Sequence, residues 1–85
     1  MAKAVRFSRH ALQQMAERGA TREEVLESIR SGEQVPAKRG RLGYRKNFQY
    51  EHLWGGRYYA MKQVLAVVAE EPEMLIVVTV YTSYF

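Results

Sequence analysis

The hydrophobic period of this chain changes close to Arg41, and that change constrains the fold more than any other feature of the sequence. Before it, apolar residues recur three or four positions apart, as on one face of a helix. After it, they alternate with polar residues, as on a strand with one face in water. The alternating apolar residues are Leu42, Tyr44, Phe48 and Tyr50. The sequence therefore predicts a helical N-terminal part followed by strands.

Capping signals divide the N-terminal part into two short helices. Ser8 is a suitable N-cap for the first helix, and Gly19 is a suitable end. The segment Thr21-Arg-Glu-Glu24 has the pattern of a capping box, and Gly32 ends the second helix. Each helix carries one apolar stripe, so each needs a surface to pack on.

Three strands are predicted after the helices. They cover roughly residues 41–50, Arg57–Ala69 and Met74–Phe85, with Gly55-Gly56 in the first connection and Pro72 in the second. Two helices followed by three strands favour an α+β fold in which both helices pack on one face of a three-stranded antiparallel sheet. We expect one domain, residues 1–85.

Composition excludes several classes of site. The chain has 85 residues and no cysteine, so it has no disulfide, thiolate nucleophile or finger-type zinc site. Its two histidines are far apart and it lacks a Gly-rich phosphate loop, so we expect neither a metal nor another cofactor. The longest apolar run, Val64–Ala69, is far shorter than the ~20 residues of a membrane span. With no signal-peptide core at its N-terminus, we expect a cytoplasmic protein without membrane contact.

The positive charge is concentrated in the middle of the chain. The net charge is +4, yet residues 36–62 contain seven basic residues and a single acidic one, Glu51. Such a cluster is typical of a surface that binds a polyanion, although a solvated basic strand and loop would show the same pattern. Five of these cations fall within nine residues: Lys38, Arg39, Arg41, Arg45 and Lys46.

Hairpin arithmetic predicts a cationic row across the sheet. A turn centred on Glu71-Pro72 places Lys62 opposite Tyr81. A tight Gly55-Gly56 turn and a longer loop over residues 51–56 both place Arg45 on the same face as Lys62. Arg45, Lys62 and Tyr81 would then form a cationic site with a phenol. The alternative is an ordinary cross-strand pair of a lysine and a tyrosine.

The same registers assign the two faces of the sheet. The face under the helices would hold Leu42, Tyr44, Phe48, Tyr59, Met61, Leu65, Val67, Ile76, Val78 and Val80. The other face would expose an apolar strip, which is typical of a homodimer or of a surface covered by a small partner protein. The strip comprises Tyr58, Val64, Val68, Leu75 and Val77.

Several short strings resemble a bacterial family of uncharacterised small domains. Its members begin Ser-x-His-Ala and contain Glu-Arg-Gly before a capped second helix, as do Ser8-Arg-His-Ala11 and Glu17-Arg-Gly19 here. The later segments Gly43–Lys46 and Val77–Tyr81 resemble strands of that family. The family is grouped with the RelE-like toxins, whose fold includes barnase-like and colicin-type ribonucleases.

The resemblance implies a metal-independent endoribonuclease that cleaves RNA, including ribosome-bound messenger RNA. By analogy with those toxins, Arg45 and Lys62 would stabilise charge on the phosphate. Tyr81 would move the proton, with His10 in the first helical turn as an alternative base or simply a packing residue. The remaining cations would hold the RNA backbone: Lys38, Arg39, Arg41, Lys46 and Arg57.

Two other functions fit the sequence. The basic face could bind RNA or the ribosome without catalysis. Alternatively, the apolar strip could make the chain a protein-interaction domain, either as a homodimer or with a small antitoxin protein. An antitoxin that covers the strip would also block the cations, so this partner is compatible with the ribonuclease as well.

Overall fold

The computed structural model describes residues 3–85, in which two helices lie on one face of a five-stranded mixed sheet. The helices are α1 (Arg9–Arg18) and α2 (Arg22–Ser31). The strands are β1 (Ala4–Phe7), β2 (Glu33–Pro36), β3 (Leu42–Trp54), β4 (Arg57–Glu70) and β5 (Met74–Tyr84), and a single 3-10 turn covers Lys38–Gly40.

The two helices have the predicted ends because their caps are local in sequence. The Ser8 side chain accepts a hydrogen bond from the Ala11 amide at 3.0 Å. Thr21 and Glu24 form the reciprocal capping box that their spacing predicts. Gly19 ends α1 in the left-handed region, with φ of 78°.

The sheet corrects the predicted fold class. Its strand order is β1-β5-β4-β3-β2, and β1 runs parallel to β5 while the other pairs are antiparallel. The prediction of three antiparallel strands was therefore wrong, although the α+β class fits. The two missed strands have four residues each, so neither is long enough to show a clear period of two.

Two irregularities correct the predicted registers. Gly55 and Gly56, with φ of 60° and 81°, form the tight turn that pairs Trp54 with Arg57. The β3–β4 pairing then shifts by one residue between Gln49 and His52, where Glu51 has φ of 54°. The β4–β5 pairing shifts between Val67 and Val68.

These shifts separate the residues of the predicted row. Lys62 lies opposite Phe48 on one side and Tyr84 on the other, whereas Arg45 and Tyr81 both lie opposite Leu65. Because directly opposed residues share a face, Lys62 is on one face of the sheet, and Arg45 and Tyr81 are on the other. The predicted Arg45, Lys62, Tyr81 row is therefore wrong.

Part of the predicted core is confirmed, since Val80 is buried and Leu42, Tyr44 and Phe48 pack against the core. Along β4, however, the core lies on the face that was assigned to the apolar strip. Val64, Val68 and Val77 are fully buried against the helices, together with Val25 of α2. Leu65 and Val67, which were predicted to be core, are only half-buried on the other side of the sheet. A shift of one residue moves every side chain of a strand to the opposite face. The proposed strip therefore does not exist as a continuous exposed surface.

Candidate functional site

Lys62 is buried on the covered face, which is the face of the sheet under α1 and α2. Its side chain is 3% exposed, and its Nζ lies 2.7 Å from Glu24 Oε1. The same ammonium group donates a hydrogen bond to the Gly19 carbonyl and lies 5.5 Å from the ring centroid of Tyr50. With its donors directed at groups of the protein, Lys62 ties β4 to both helices and is not presented to a ligand.

The Glu-Arg-Gly string holds the end of α1 against β5. The Arg18 carbonyl accepts hydrogen bonds from the hydroxyls of Thr82 at 3.0 Å and Tyr84 at 2.6 Å. A Cβ on Gly19 would lie 2.7 Å from a ring carbon of Trp54. These contacts give the string a role in packing. The sequence did not predict this role, although the string stood out as part of the family resemblance.

An aromatic cluster closes this end of the covered face. The Tyr84 and Trp54 rings stack at 4.9 Å with an interplanar angle of 15°, and Tyr50 and Tyr59 lie 5.2 Å and 5.7 Å from Tyr84. Burial, and to a smaller extent the neighbouring Tyr50, raises the pKa of Tyr84. The Trp54 ring therefore packs against another ring of the protein.

The other side of the sheet, the open face, is covered by neither helix and carries Arg45 and Tyr81. Glu33, Arg45, Leu65 and Tyr81 form one row across β2, β3, β4 and β5. Two strand spacings separate the backbones of Arg45 and Tyr81, which is about 10 Å. Arg45 binds the Glu33 carboxylate through Nε at 3.1 Å and Nη2 at 2.5 Å.

A cleft of about 390 Å³ lies beside this row on the open face. Tyr81, whose exposed fraction is 49%, contributes to its lining. Across the cleft from β5 lies the connection between β2 and β3, which brings three cations to it. The full lining is Pro36, Ala37, Lys38, Arg39, Arg41, Leu65, Val67, Thr79 and Tyr81.

The backbone of the connection explains how the cations reach the cleft. Arg39 has φ of 62° and Gly40 has φ of 70°, so the chain turns sharply after β2. The Arg41 amide donates to the Lys38 carbonyl at 3.3 Å, and the Ala37 amide donates to the Arg41 carbonyl at 3.2 Å. The turn is closed by its own hydrogen bonds, and its side chains stay available.

The remaining predicted residues lie away from the cleft. Lys46 is on the covered face, where its Nζ lies 2.7 Å from both Glu27 Oε2 and Ser31 Oγ. Arg57 is at the far end of the β3–β4 hairpin, with its guanidinium 5.9 Å from the Tyr59 ring centroid. His10 is exposed in the first turn of α1.

The structure thus brings together Lys38, Arg39, Arg41 and Tyr81, and places Arg45 in the same row as Tyr81. No cluster of three or more His, Cys, Asp or Glu side chains suited to a metal ion occurs in residues 3–85. Neither helix in this part of the chain is long and apolar enough to cross a membrane.

Comparison with known proteins identifies the family. Neither the curated proteins nor the solved structures gave a match to this chain. The family model described as Domain of unknown function (DUF4258) matches residues 7–82, which include both helices and the cleft. The chain therefore belongs to the DUF4258 family.

Proposed function

We propose that this protein binds RNA through the cleft on the open face. The observation that carries the proposal is the arrangement of Lys38, Arg39 and Arg41 around an apolar floor, opposite an exposed tyrosine. Cations bind the phosphates of a nucleic acid, and an exposed aromatic ring and apolar floor suit its bases.

The state of the cations supports this proposal. Within residues 3–85, none of Lys38, Arg39 and Arg41 forms an ion pair with a carboxylate. Lys46 and Lys62, by contrast, are bound to Glu27 and Glu24. A free cation can release counterions from a phosphate, whereas a cation already paired in the protein first has to lose its partner. The cleft therefore holds three neighbouring cations that are ready for a polyanion.

The test is the salt dependence of RNA binding. Fluorescence anisotropy with a labelled oligouridylate is measured over a range of KCl concentrations. Three phosphate contacts to a single strand predict a slope of log K against log salt of about −2. The triple variant Lys38→Gln, Arg39→Gln, Arg41→Gln should bind at least about tenfold more weakly and show a much flatter slope.

A matched control separates this site from general charge. The variant Arg9→Gln, Arg22→Gln, Arg30→Gln loses the same charge from exposed positions of α1 and α2. We expect it to bind RNA nearly as well as the unchanged protein. Equal losses in the two triple variants would reduce the effect to net charge and overturn the proposed site.

A second candidate function is metal-independent RNA cleavage in the same cleft, which would group this protein with the RelE-like toxins. The observation that favours it is the Tyr81 hydroxyl, which makes no hydrogen bond within residues 3–85 and lines a cleft with three cations. In this reaction, the Tyr81 side chain in its deprotonated form takes the proton from a ribose 2′-hydroxyl, whose oxygen attacks the adjacent phosphorus. The bond from phosphorus to the 5′-oxygen breaks, that oxygen takes a proton from water, and a cyclic phosphate remains.

The residues assigned to cleavage here differ from those that the sequence predicted. Arg41, which lines the cleft, would stabilise the added negative charge on phosphorus, whereas Arg45 is paired with Glu33 and lies outside the lining. Lys62 has no part, since it is buried and bound to Glu24 on the other side of the sheet. His10 lies on α1, in the helical layer and not in the lining of the cleft.

Cleavage is tested with end-labelled RNA, with and without translating ribosomes. The protein should produce fragments that end in a cyclic phosphate, and Tyr81→Phe should abolish them while leaving binding intact. Tyr58→Phe is the control, because Tyr58 is an exposed tyrosine outside the cleft. RNA binding without fragments under either condition would leave the binding function and eliminate the enzyme.

A further inference from the structure

We propose that the cleft takes a single-stranded nucleic acid by stacking one unpaired base on Tyr81, and that Arg18 is the positioning residue that holds this ring. The inference rests on the proposed RNA-binding function and specifies its substrate: a strand whose bases are free to leave a helix. It also assigns a role to the side chain of Arg18, in addition to the hydrogen bonds that its backbone carbonyl accepts from Thr82 and Tyr84.

The Arg18 side chain reaches around the edge of the sheet to Tyr81. Strand β1 pairs with β5 only as far as Val77, so β1 leaves the edge of β5 open from Val78 onward. Arg18 uses this edge, because its Nη1 donates to the Val80 carbonyl at 2.7 Å. Its guanidinium carbon then lies 5.0 Å from the centroid of the Tyr81 ring.

Both ends of Arg18 are fixed, which makes it a rigid support. Its backbone carbonyl accepts hydrogen bonds from Thr82 and Tyr84, and its side chain donates to β5 and contacts Tyr81. A cation that is already held in place orders an aromatic ring at a lower entropic cost than a free side chain would. The Tyr81 ring is thus ordered in the absence of a ligand.

The Tyr81 ring is held in place but is not buried by packing. About half of the Tyr81 side chain remains exposed, and it lines the cleft together with Thr79 and Leu65. Tyr84, three residues further along β5, is packed between other rings and hydrogen-bonded. Of the two tyrosines, only Tyr81 presents a free aromatic surface beside unpaired cations.

The dimensions and charges of the cleft fit one nucleotide and its flanking phosphates. Its volume of about 390 Å³ falls within the range of small-molecule sites. A base on Tyr81 would place its phosphates near the loop that carries Lys38, Arg39 and Arg41. A base stacked on an aromatic side chain contributes binding energy regardless of its identity, so we expect little sequence preference. A base inside a duplex is not available for such a stack.

The test uses a short oligouridylate with one 2-aminopurine, whose fluorescence is quenched on stacking. At saturating protein, emission should fall on binding, and Tyr81→Leu should abolish the quenching and weaken binding about tenfold. Tyr81→Phe keeps the ring and should keep the quenching. A matched duplex should compete at least about tenfold less well than the single strand.

The role of Arg18 is read from the same signal under saturation, which separates ring position from affinity. Arg18→Met should lower the quenching in the fully bound complex, and Arg18→Lys should restore part of it. Arg22→Met is the control, because Arg22 lies 4.8 Å from the ring of Phe7, away from the cleft. Thermal melting of each variant reports any loss of folding.

Different results would overturn this inference and the proposed RNA-binding function on which it rests. Unchanged quenching in Tyr81→Leu, or equal affinity for duplex and single strand, would overturn stacking on Tyr81 while RNA binding by the cations stands. Full quenching in saturated Arg18→Met would remove the positioning role. No binding of any oligonucleotide would overturn the proposed function and this inference together.

Discussion

The two faces of the sheet carry similar residues in opposite states. On the covered face, Lys62 is bound by Glu24 and a carbonyl, and Tyr84 is packed among aromatic rings. On the open face, Arg41 is unpaired within residues 3–85, and Tyr81 is half-exposed. The presence of a basic residue and a tyrosine on neighbouring strands is thus not enough to identify a functional site. Burial and existing partners decide which face is available to a ligand.

The largest effect is expected from breaking the buried pair on the covered face. Glu24→Gln can keep the hydrogen bond of the capping box but leaves the Lys62 ammonium without its carboxylate. We expect a loss of about 3 kcal/mol in the free energy of unfolding, measured with urea. Lys62→Met combined with Glu24→Gln should recover most of it. A loss of less than about 0.5 kcal/mol in the single variant would show that Lys62 does not serve the fold.

The next effect compares two glycines with positive φ. Gly19→Ala would place a Cβ against Trp54 and Tyr84, in addition to the cost of the left-handed conformation. We expect a destabilisation of about 3 kcal/mol. Gly40→Ala meets nothing within 4 Å and should cost about 1 kcal/mol. Equal melting temperatures for the two variants would contradict the close packing of α1 on the aromatic cluster.

A smaller, pH-dependent effect is expected at the Lys46 pair. Hydrogen bonds from Lys46, Ser31 and Arg30 lower the pKa of Glu27 from 4.5 to about 2. A lowered pKa in the folded state adds stability above about pH 4.5, and this stability is lost as the pH falls toward 2. Glu27→Gln should therefore lower stability at neutral pH and reduce its dependence on pH in that window. An unchanged pH profile of urea midpoints would contradict this link between α2 and β3.

The smallest effect on stability is expected on the open face. The Arg45–Glu33 pair is largely exposed, so Arg45→Ala should change the free energy of unfolding by less than about 1 kcal/mol. The same variant should weaken RNA binding by less than Arg41→Ala does, because Arg45 lies in the row of Tyr81 but is already paired with Glu33. Loss of stability without loss of RNA affinity would reverse the comparison between the two faces. Chemical unfolding and fluorescence anisotropy measure the two effects separately.

The helices were predictable because their signals are local. Ser8, Gly19 and the Thr21–Glu24 box act within one turn of their own helix, so the sequence places the ends without knowledge of the rest. The Gly55-Gly56 turn is equally local. The one-residue shift at Glu51 is not, because no glycine or proline marks it. That shift moved Lys62 to the covered face and reversed the predicted core face of β4.

The candidate site was predictable where it depends on charge and not where it depends on register. The cluster of basic residues pointed to the segment that brings Lys38, Arg39 and Arg41 to the cleft. Arg18 was missed as a neighbour of Tyr81, because that contact joins residues 63 positions apart around a sheet edge. The Glu-Arg-Gly string was its available signal, but the string alone does not show which strand the arginine reaches.

The most direct test of the central claim is a methyl spectrum of the protein, recorded by NMR during titration with oligouridylate. The account predicts that the methyl signals of Leu65, Val67 and Thr79 on the open face move with added RNA. Those of the buried core residues Val25, Val64 and Val68 should stay in place. Shifts confined to the core and helices, with the open face unchanged, would contradict the claim that the open face is the functional one.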